Sequence, residues 1–282
     1  MSQLMPDPER VDALIRAVAA AEILPRFQSL RAGDIREKGP GDFVTAADLA
    51  SEAELTRRLP ELLPGSVVLG EEAVAADASL FRLFDQDAPV WVIDPVDGTA
   101  NFAHGRPGFA VIVALVQARA VRAGWILDPI AEVSVMAQAG EGAWSAGRRL
   151  RVADGLAVGT MVGASYGKIG STVRTAELLT ASGKIGGIVN GNSSGIDYLR
   201  LALGTGHFLV ASHSKPWDHA AGILTVRELG GMSGFIDATP YDPRVADRGV
   251  LSAASAEAWE TIRAVIDAGR DPSAPVSTIR GG

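Results

Sequence analysis

Residues 90–102 read VWVIDPVDGTANF and hold the densest set of chemistry-bearing groups in the chain. Val90 to Ile93 form an apolar run long enough for a buried strand. Asp94 ends the run. Pro95 holds Asp94 extended and brings no N–H to a ladder, and Asp97-Gly98 signals a turn before a short helix that starts at Thr99. Two carboxylates therefore stand on a bend just past a strand end, with the N–H groups of Gly98 and Thr99 close behind. Hard divalent cations take carboxylate and carbonyl oxygens, and phosphate oxygens take free N–H groups at helix starts. This bend can supply both. In isolation, D-P-x-D-G describes equally well a connection in which Asp and Gly only shape the chain.

Three further acidic spots stand out. Asp48 lies three residues after Thr45 in VTAADLASE, close to a capping box at a helix start. Glu71 and Glu72 follow the short strand SVVLG, so adjacent strands can present Glu71 and Asp94 at one edge. Asp218, in KPWDHAAG, sits in the first turn of a helix, where a carboxylate also offsets the dipole. His104, His207, His213 and His219 show no zinc-type spacing and read as surface or packing residues. Trp91 and Trp217, each close before a motif acid, are expected to wall the site.

The elements that must position these groups follow from the pattern along the chain. Its 282 residues allow one large α/β unit or two joined lobes. A net charge of −7 argues against nucleic acid or an anionic membrane as partner, and the lack of cysteine excludes disulfides, zinc–thiolate sites and thiol catalysis. The N-terminus has charges through its apolar part, unlike a signal peptide, and no apolar run reaches membrane-spanning length, so a cytoplasmic protein is expected. The spacing predicts an amphipathic helix over 8–32, a mobile loop over GDIREKGPGDF, and a second helix from Thr45 to about Leu63. Beyond the central stretch, four closely spaced strands suggest an antiparallel meander. After about residue 153, strands alternate with helices. The expected organisation is an N-terminal lobe over 1–153, a C-terminal α/β lobe over 154–270 that supplies Asp218, and a disordered tail over 271–282.

GEE at 70–72, WVIDPVDGTANFAH at 91–104 and PWDHAAG at 216–222, with VTAADLASE at 44–52 as a weaker fourth element, resemble the inositol monophosphatase family. This is the magnesium-dependent, lithium-sensitive sugar-phosphate phosphatase superfamily. The resemblance implies a layered α-β-α-β-α fold of the α/β (α+β) class, with two lobes sharing an active-site cleft. It also implies a homodimer, a small phosphorylated metabolite as substrate, and two to three Mg²⁺ ions per site. Residue by residue, Glu71, Asp94 and the Val96 carbonyl resemble the ligands of a first metal, and Asp94, Asp97 and Asp218 those of a second. A looser third ion is held by water and Glu71. Asp48 and Thr99 match the pair that orients the attacking water, and the Asp97, Gly98 and Thr99 amides match the phosphate cradle. Lys38 lies where the family has an active-site flap. Hydrolysis is expected by in-line attack of water, with no phosphoenzyme.

The resemblance thins on the substrate side. Inositol-specific members carry a Glu that receives substrate hydroxyls about where Ala211 falls, and a methyl group cannot accept such a bond. Asn192, Ser193 and Ser194 replace the family's small Gly-Thr/Ser-Ala step. His213 and Lys215 can meet a second anionic group or simply form a solvated loop. The expected function is hydrolysis of a small phosphate monoester. Fructose-1,6-bisphosphatase, histidinol-phosphate phosphatase and 3′-phosphoadenosine-5′-phosphate phosphatase are the alternatives within the superfamily. A non-catalytic member that binds a phosphorylated ligand or a protein is the alternative from another class.

Overall fold

The computed structural model describes residues 5–152, 159–166 and 169–269. The expected lobe boundary at 153/154 and the expected tail over 271–282 lie outside the described residues. In chain order the elements are α1 (Pro8–Val18), β1 (Ile35–Gly39), β2 (Asp42–Thr45), α2 (Ala46–Leu62), β3 (Val67–Gly70), α3 (Glu71–Ala76), β4 (Val90–Asp97), α4 (Thr99–Ala103), β5 (Ala110–Gln117), β6 (Ala120–Asp128), β7 (Val133–Gln138), β8 (Gly142–Ser145) and β9 (Arg148–Arg149). There follow β10 (Val162–Tyr166), α5 (Ile169–Ala181), β11 (Gly187–Ile188), α6 (Ser194–Ala202), β12 (Phe208–Ala211), α7 (Pro216–Glu228), β13 (Met232–Phe235), β14 (Val250–Ala253) and α8 (Ala256–Ala268).

Strands β3 to β9 form one sheet in sequence order, parallel only between β3 and β4. From β4 onward it is the expected antiparallel meander. The second sheet runs β11-β10-β12-β14-β13, with β10 parallel to its neighbours and the rest antiparallel. Period-two alternation sorts β4 and β5 onto two faces. Val90, Val92, Ile112 and Ala114 join Tyr198, Trp217 and Val250 in a central core between the sheets. Trp91, Ile93, Val111 and Val113 pack with Val11, Ile15, Leu55 and Leu59 of α1 and α2. Leu179 of α5 and Trp259 and Ile262 of α8 cover Phe208, Val210 and Leu251 of the second sheet. Two sheets thus enclose α6 and α7 and are flanked by helices, giving the layered α-β-α-β-α order.

The middle layer is thin because its residues are small. A Cβ on Gly222 of α7 would lie 2.1 Å from the Tyr198 ring of α6, and one on Gly124 of β6 would lie 2.8 Å from Ala221 Cα. The run Ala220-Ala221-Gly222, two residues past Asp218, therefore seats α7, and with it Asp218, close against the first sheet.

Two expectations are corrected. The helix expected over 8–32 stays α-helical only to Val18, widens over Ala19–Ile23, tightens over Leu24–Arg26 and stops. Pro25 lacks the N–H that a continuing ladder needs. The loop expected over GDIREKGPGDF pairs as a β1–β2 hairpin, Ile35 opposite Thr45 and Glu37 opposite Phe43. Gly41 takes the left-handed conformation (φ 77°) that lets the chain reverse there.

Candidate active site

The parallel pairing of β3 and β4 places Gly70 opposite Ile93, so Glu71 and Asp94 emerge side by side as the next residues. Asp94 pairs with Ile112 and Asp97 with Ala110, three steps along β4 against two along β5. The extra residue, at a Pro with no donor to lose, bends β4 at its acids. Asp94 is 2 % exposed and accepts the Val96 N–H at 3.1 Å. Across the cleft Asp218 projects from the first turn of α7, and Glu71, Asp94 and Asp218 bring one carboxylate oxygen each to within 4.8 Å of the others. Burial, and then the Glu71 charge, push the Asp94 and Asp218 carboxyls well above the usual range.

Asp97 lies in a different environment. Its Oδ2 accepts the Ser193 hydroxyl and, at 2.6 Å, the Gly195 N–H; its Oδ1 accepts the Ser194 N–H and hydroxyl, both at 3.2 Å. Ser193 is also the N-cap of α6, so this helix start holds Asp97. Burial still raises the Asp97 pKa to about 6 against those bonds. Ser194 Oγ also donates to the Asp218 carbonyl at 2.8 Å, tying α6 to α7. The hydroxyls of Ser193 and Ser194, expected on the substrate side, bond to Asp97, and that of Ser194 also to the Asp218 carbonyl.

The bend after β4 turns at Gly98, in the left-handed region (φ 93°). A Cβ there would meet the Gly108 carbonyl oxygen and Ser193 Cβ at 2.9 Å each, so only glycine fits. Thr99 Oγ is 2.9 Å from the Val96 carbonyl oxygen and 3.2 Å from Asp48 Oδ1. Asp48 caps α2 with its other oxygen, Oδ2, which accepts from the Thr45 N–H at 2.9 Å and the Thr45 hydroxyl. Capping and a site position are thus compatible in one side chain. Burial raises the Asp48 pKa to about 7, against the two Thr45 bonds.

The cations approach from two sides. Lys38 of β1 reaches Glu72 at 2.8 Å, Glu71 at 3.4 Å and Asp42 at 3.6 Å, and these acids raise its pKa against desolvation. Lys215 is the N-cap of α7 and lies 5.7 Å from the centroid of the Trp217 ring. His213 Nδ1 is 3.5 Å from Asp218 Oδ2. Asn192 has a left-handed backbone (φ 54°), and its carbonyl oxygen would lie 3.3 Å from a Cβ on Gly98. Ala211 ends β12 fully buried, its methyl group in the central core. Trp91 is a core residue whose indole donates to Ser66, whereas Trp217 packs on Phe81.

Two positioning residues escaped the sequence reading. Glu52 accepts from the Glu72 and Ala73 N–H groups at 2.9 and 2.8 Å, anchoring the helix start that carries Glu71. Its carboxyl fills the space where a Gly70 Cβ would be, 2.3 Å from Cδ. The available signal was a charge on the buried stripe of α2, in step with Asp48, Leu55 and Leu59. Asn101 donates to the Gly108 and Gly191 carbonyls at 2.7 and 2.9 Å, joining the bend to the segment before α6. No local pattern marks it.

A layered fold whose strand ends and helix starts converge on buried carboxylates is shared with the inositol monophosphatases, which are phosphoric monoester hydrolases. Residues 8–269 match the inositol monophosphatase family, and the chain belongs to that family. An inositol-1-monophosphatase of Mesorhizobium japonicum is 33% identical over 228 residues, 78% of this chain and 83% of that protein. Among solved structures, a Thermotoga maritima IMPase superposes with a TM-score of 0.78 at 24% identity, covering 93% of this chain and 98% of the other. An IMPase/NADP phosphatase complexed with Mg²⁺ and phosphate gives 0.74 at 20% identity, covering 91% and 95%. At those identities the solved structures speak for the fold.

Proposed function

We propose that the chain hydrolyses a small phosphate monoester with Mg²⁺, by direct attack of water. The observation that carries this reading is the meeting of Glu71, Asp94 and Asp218, with one oxygen from each within 4.8 Å of the others. Such a donor set is all hard oxygen and suits Mg²⁺. Glu71, Asp94 and the Val96 carbonyl would hold one ion; Asp94, Asp97 and Asp218 a second; Glu71 and water a looser third. The lone pairs of Asp97 are already in use, so its share in a second ion comes at the expense of the 3.2 Å contacts from Ser194. When bound, Mg²⁺ neutralises the phosphate dianion, activates water and stabilises the leaving alkoxide.

The remaining work falls to the chain. Asp48, poised near neutrality with its Oδ1 free of the cap, takes the proton of the attacking water, and Thr99 orients that water between Asp48 and the Val96 carbonyl. The N–H groups of Asp97, Gly98 and Thr99 cradle the phosphate at the start of α4. Lys38, Lys215, His213 and Asn192 line the approach, with Ser193, Ser194 and Ala211 behind them. The fully buried methyl of Ala211 offers a polyol hydroxyl no acceptor, so inositol 1-phosphate is expected to be a poor substrate. The half-buried Lys215 favours a second anionic group as the next reading, that of a bisphosphate. The same proposal takes the protein as a cytoplasmic homodimer whose lobes, 1–153 and 154–270, share the cleft. Among the described residues, no helix is long and apolar enough to cross a membrane.

The test is phosphate release over a panel containing inositol 1-phosphate, fructose 1,6-bisphosphate, histidinol phosphate and 3′-phosphoadenosine 5′-phosphate, with Mg²⁺ and with excess chelator. Turnover of at least one member with Mg²⁺, and of none with chelator, is expected. Undiminished turnover in chelator would sink the metal reading, and binding without turnover across the panel would favour the non-catalytic member.

A further inference from the structure

Asp218 belongs to two groups of ligating side chains. Besides Glu71 and Asp94 it meets His213 and His219, again with one ligand atom from each residue within 4.8 Å of the others. The two imidazole rings lie 5.4 Å apart, centroid to centroid. The hydrolytic reading has no task for His219.

His219 has no exposed surface, and among the described residues its Nε2 has no hydrogen-bond partner. A buried polar nitrogen left unanswered is costly, so a native structure that keeps one calls for an explanation. The other nitrogen, Nδ1, lies 3.1 Å from the Tyr198 hydroxyl, which lies 3.3 Å from Ser252 Oγ. Donation from Nδ1 to Tyr198, and onward from Tyr198 to Ser252, satisfies that chain and leaves the lone pair on Nε2. Outer partners orient metal-binding histidines in this way. His213 Nδ1 is likewise buried without a hydrogen-bond partner among the described residues, while its side chain is 30% exposed and so opens the group to solvent. Two imidazoles and one carboxylate, with a fourth position for water, form a Zn²⁺ donor set, one that Mg²⁺ does not favour.

We propose that His213, Asp218 and His219 form a transition-metal site of the Zn²⁺ class. It shares Asp218 with the Mg²⁺ ligands, so that an ion bound there withdraws Asp218 and inhibits turnover. The inhibition rests on the hydrolytic reading; the binding does not, and it is read without substrate. Co²⁺ serves as the probe, added to the full chain in excess Mg²⁺. One equivalent is expected to give the strong visible absorption of a four- or five-coordinate nitrogen-bearing site, bleached by Zn²⁺ and not by further Mg²⁺. His213→Ala and His219→Gln are each expected to weaken Co²⁺ binding at least about 100-fold, since loss of an outer partner alone costs 10–100-fold. His213→Ala, at the exposed side, keeps the test sound if the buried variant misfolds. In the same variants, inhibition of phosphate release by Zn²⁺ should move to higher concentration. A weak six-coordinate spectrum, or Co²⁺ affinity unchanged in His213→Ala, would overturn the site. Zn²⁺ binding that leaves turnover untouched would overturn its inhibitory role.

Discussion

Glu71, just past β3, and Asp94, at the bend of β4, are answered by one lysine at 3.4 Å and one N–H at 3.1 Å. Asp97, three residues beyond Asp94, is answered by three consecutive residues at the start of α6. The consequence is visible in their proton affinities: the Asp94 carboxyl is driven well above the usual range, Asp97 only to about 6. Hydrogen bonds to the charged form offset the desolvation of Asp97, and Asp94 has only the Val96 N–H to set against its own. Asp218, although in the first turn of α7, is driven up as Asp94 is, so the bonds and not the helix end make the difference. Under the proposed function the strand-edge half then recruits the cations and the helix-start half fixes geometry.

Variants in the two halves should therefore fail differently. Thr99→Val removes the hydroxyl between Asp48 and the Val96 carbonyl, beside the acids of the strand-edge half, and is expected to lower turnover at least roughly 10²-fold with little change in thermal stability. Ser193→Ala removes the cap of α6 and one bond to Asp97, and is expected to cost about 1 kcal/mol of stability with a smaller loss of turnover. Assay and thermal melt of both proteins check the contrast, and a Ser193→Ala enzyme as inactive as Thr99→Val would erase it. The smallest effect concerns pH. At pH 6.5, the ordinary histidine value, His213 and His219 are neutral in the fold and half-charged in the unfolded chain, a small opposing slope that is gone about a unit higher. Asp48, at about 7, and Asp94 and Asp218, raised well above their ordinary value, bind protons in the folded state that the unfolded chain has released. Metal-free protein should lose stability as pH rises from 6.5, while Mg²⁺ should stabilise more at pH 8 than at pH 6.5. Melts at the two pH values, with and without Mg²⁺, check both signs; an equal Mg²⁺ effect at both would contradict the assignment of these acids as its ligands.

The strand-edge half was the more legible in sequence because its parts are local. A strand, a Pro and an Asp-Gly turn lie within nine residues, and Glu71 likewise follows a short apolar run. The helix-start half was not, because Ser193 acts on an acid 96 residues earlier, and no local period reports such a meeting. Glu52 was half visible, as a charge on a buried stripe. The hairpin at 35–45 was misread because Gly and Pro signal a turn and a loop alike, and cross-strand pairing decides between them.

Asp94→Asn tests the central claim most directly, because it removes one charge from the strand edge and leaves the shape nearly unchanged. Turnover at saturating Mg²⁺ and the melting temperature in chelator would be measured on the same preparation. Turnover should fall at least roughly 10²-fold, the scale on which a charge-stabilising group is felt, while the metal-free protein melts no lower than the wild type and rises as repulsion is relieved. Near-normal turnover in Asp94→Asn at saturating Mg²⁺ would contradict the account.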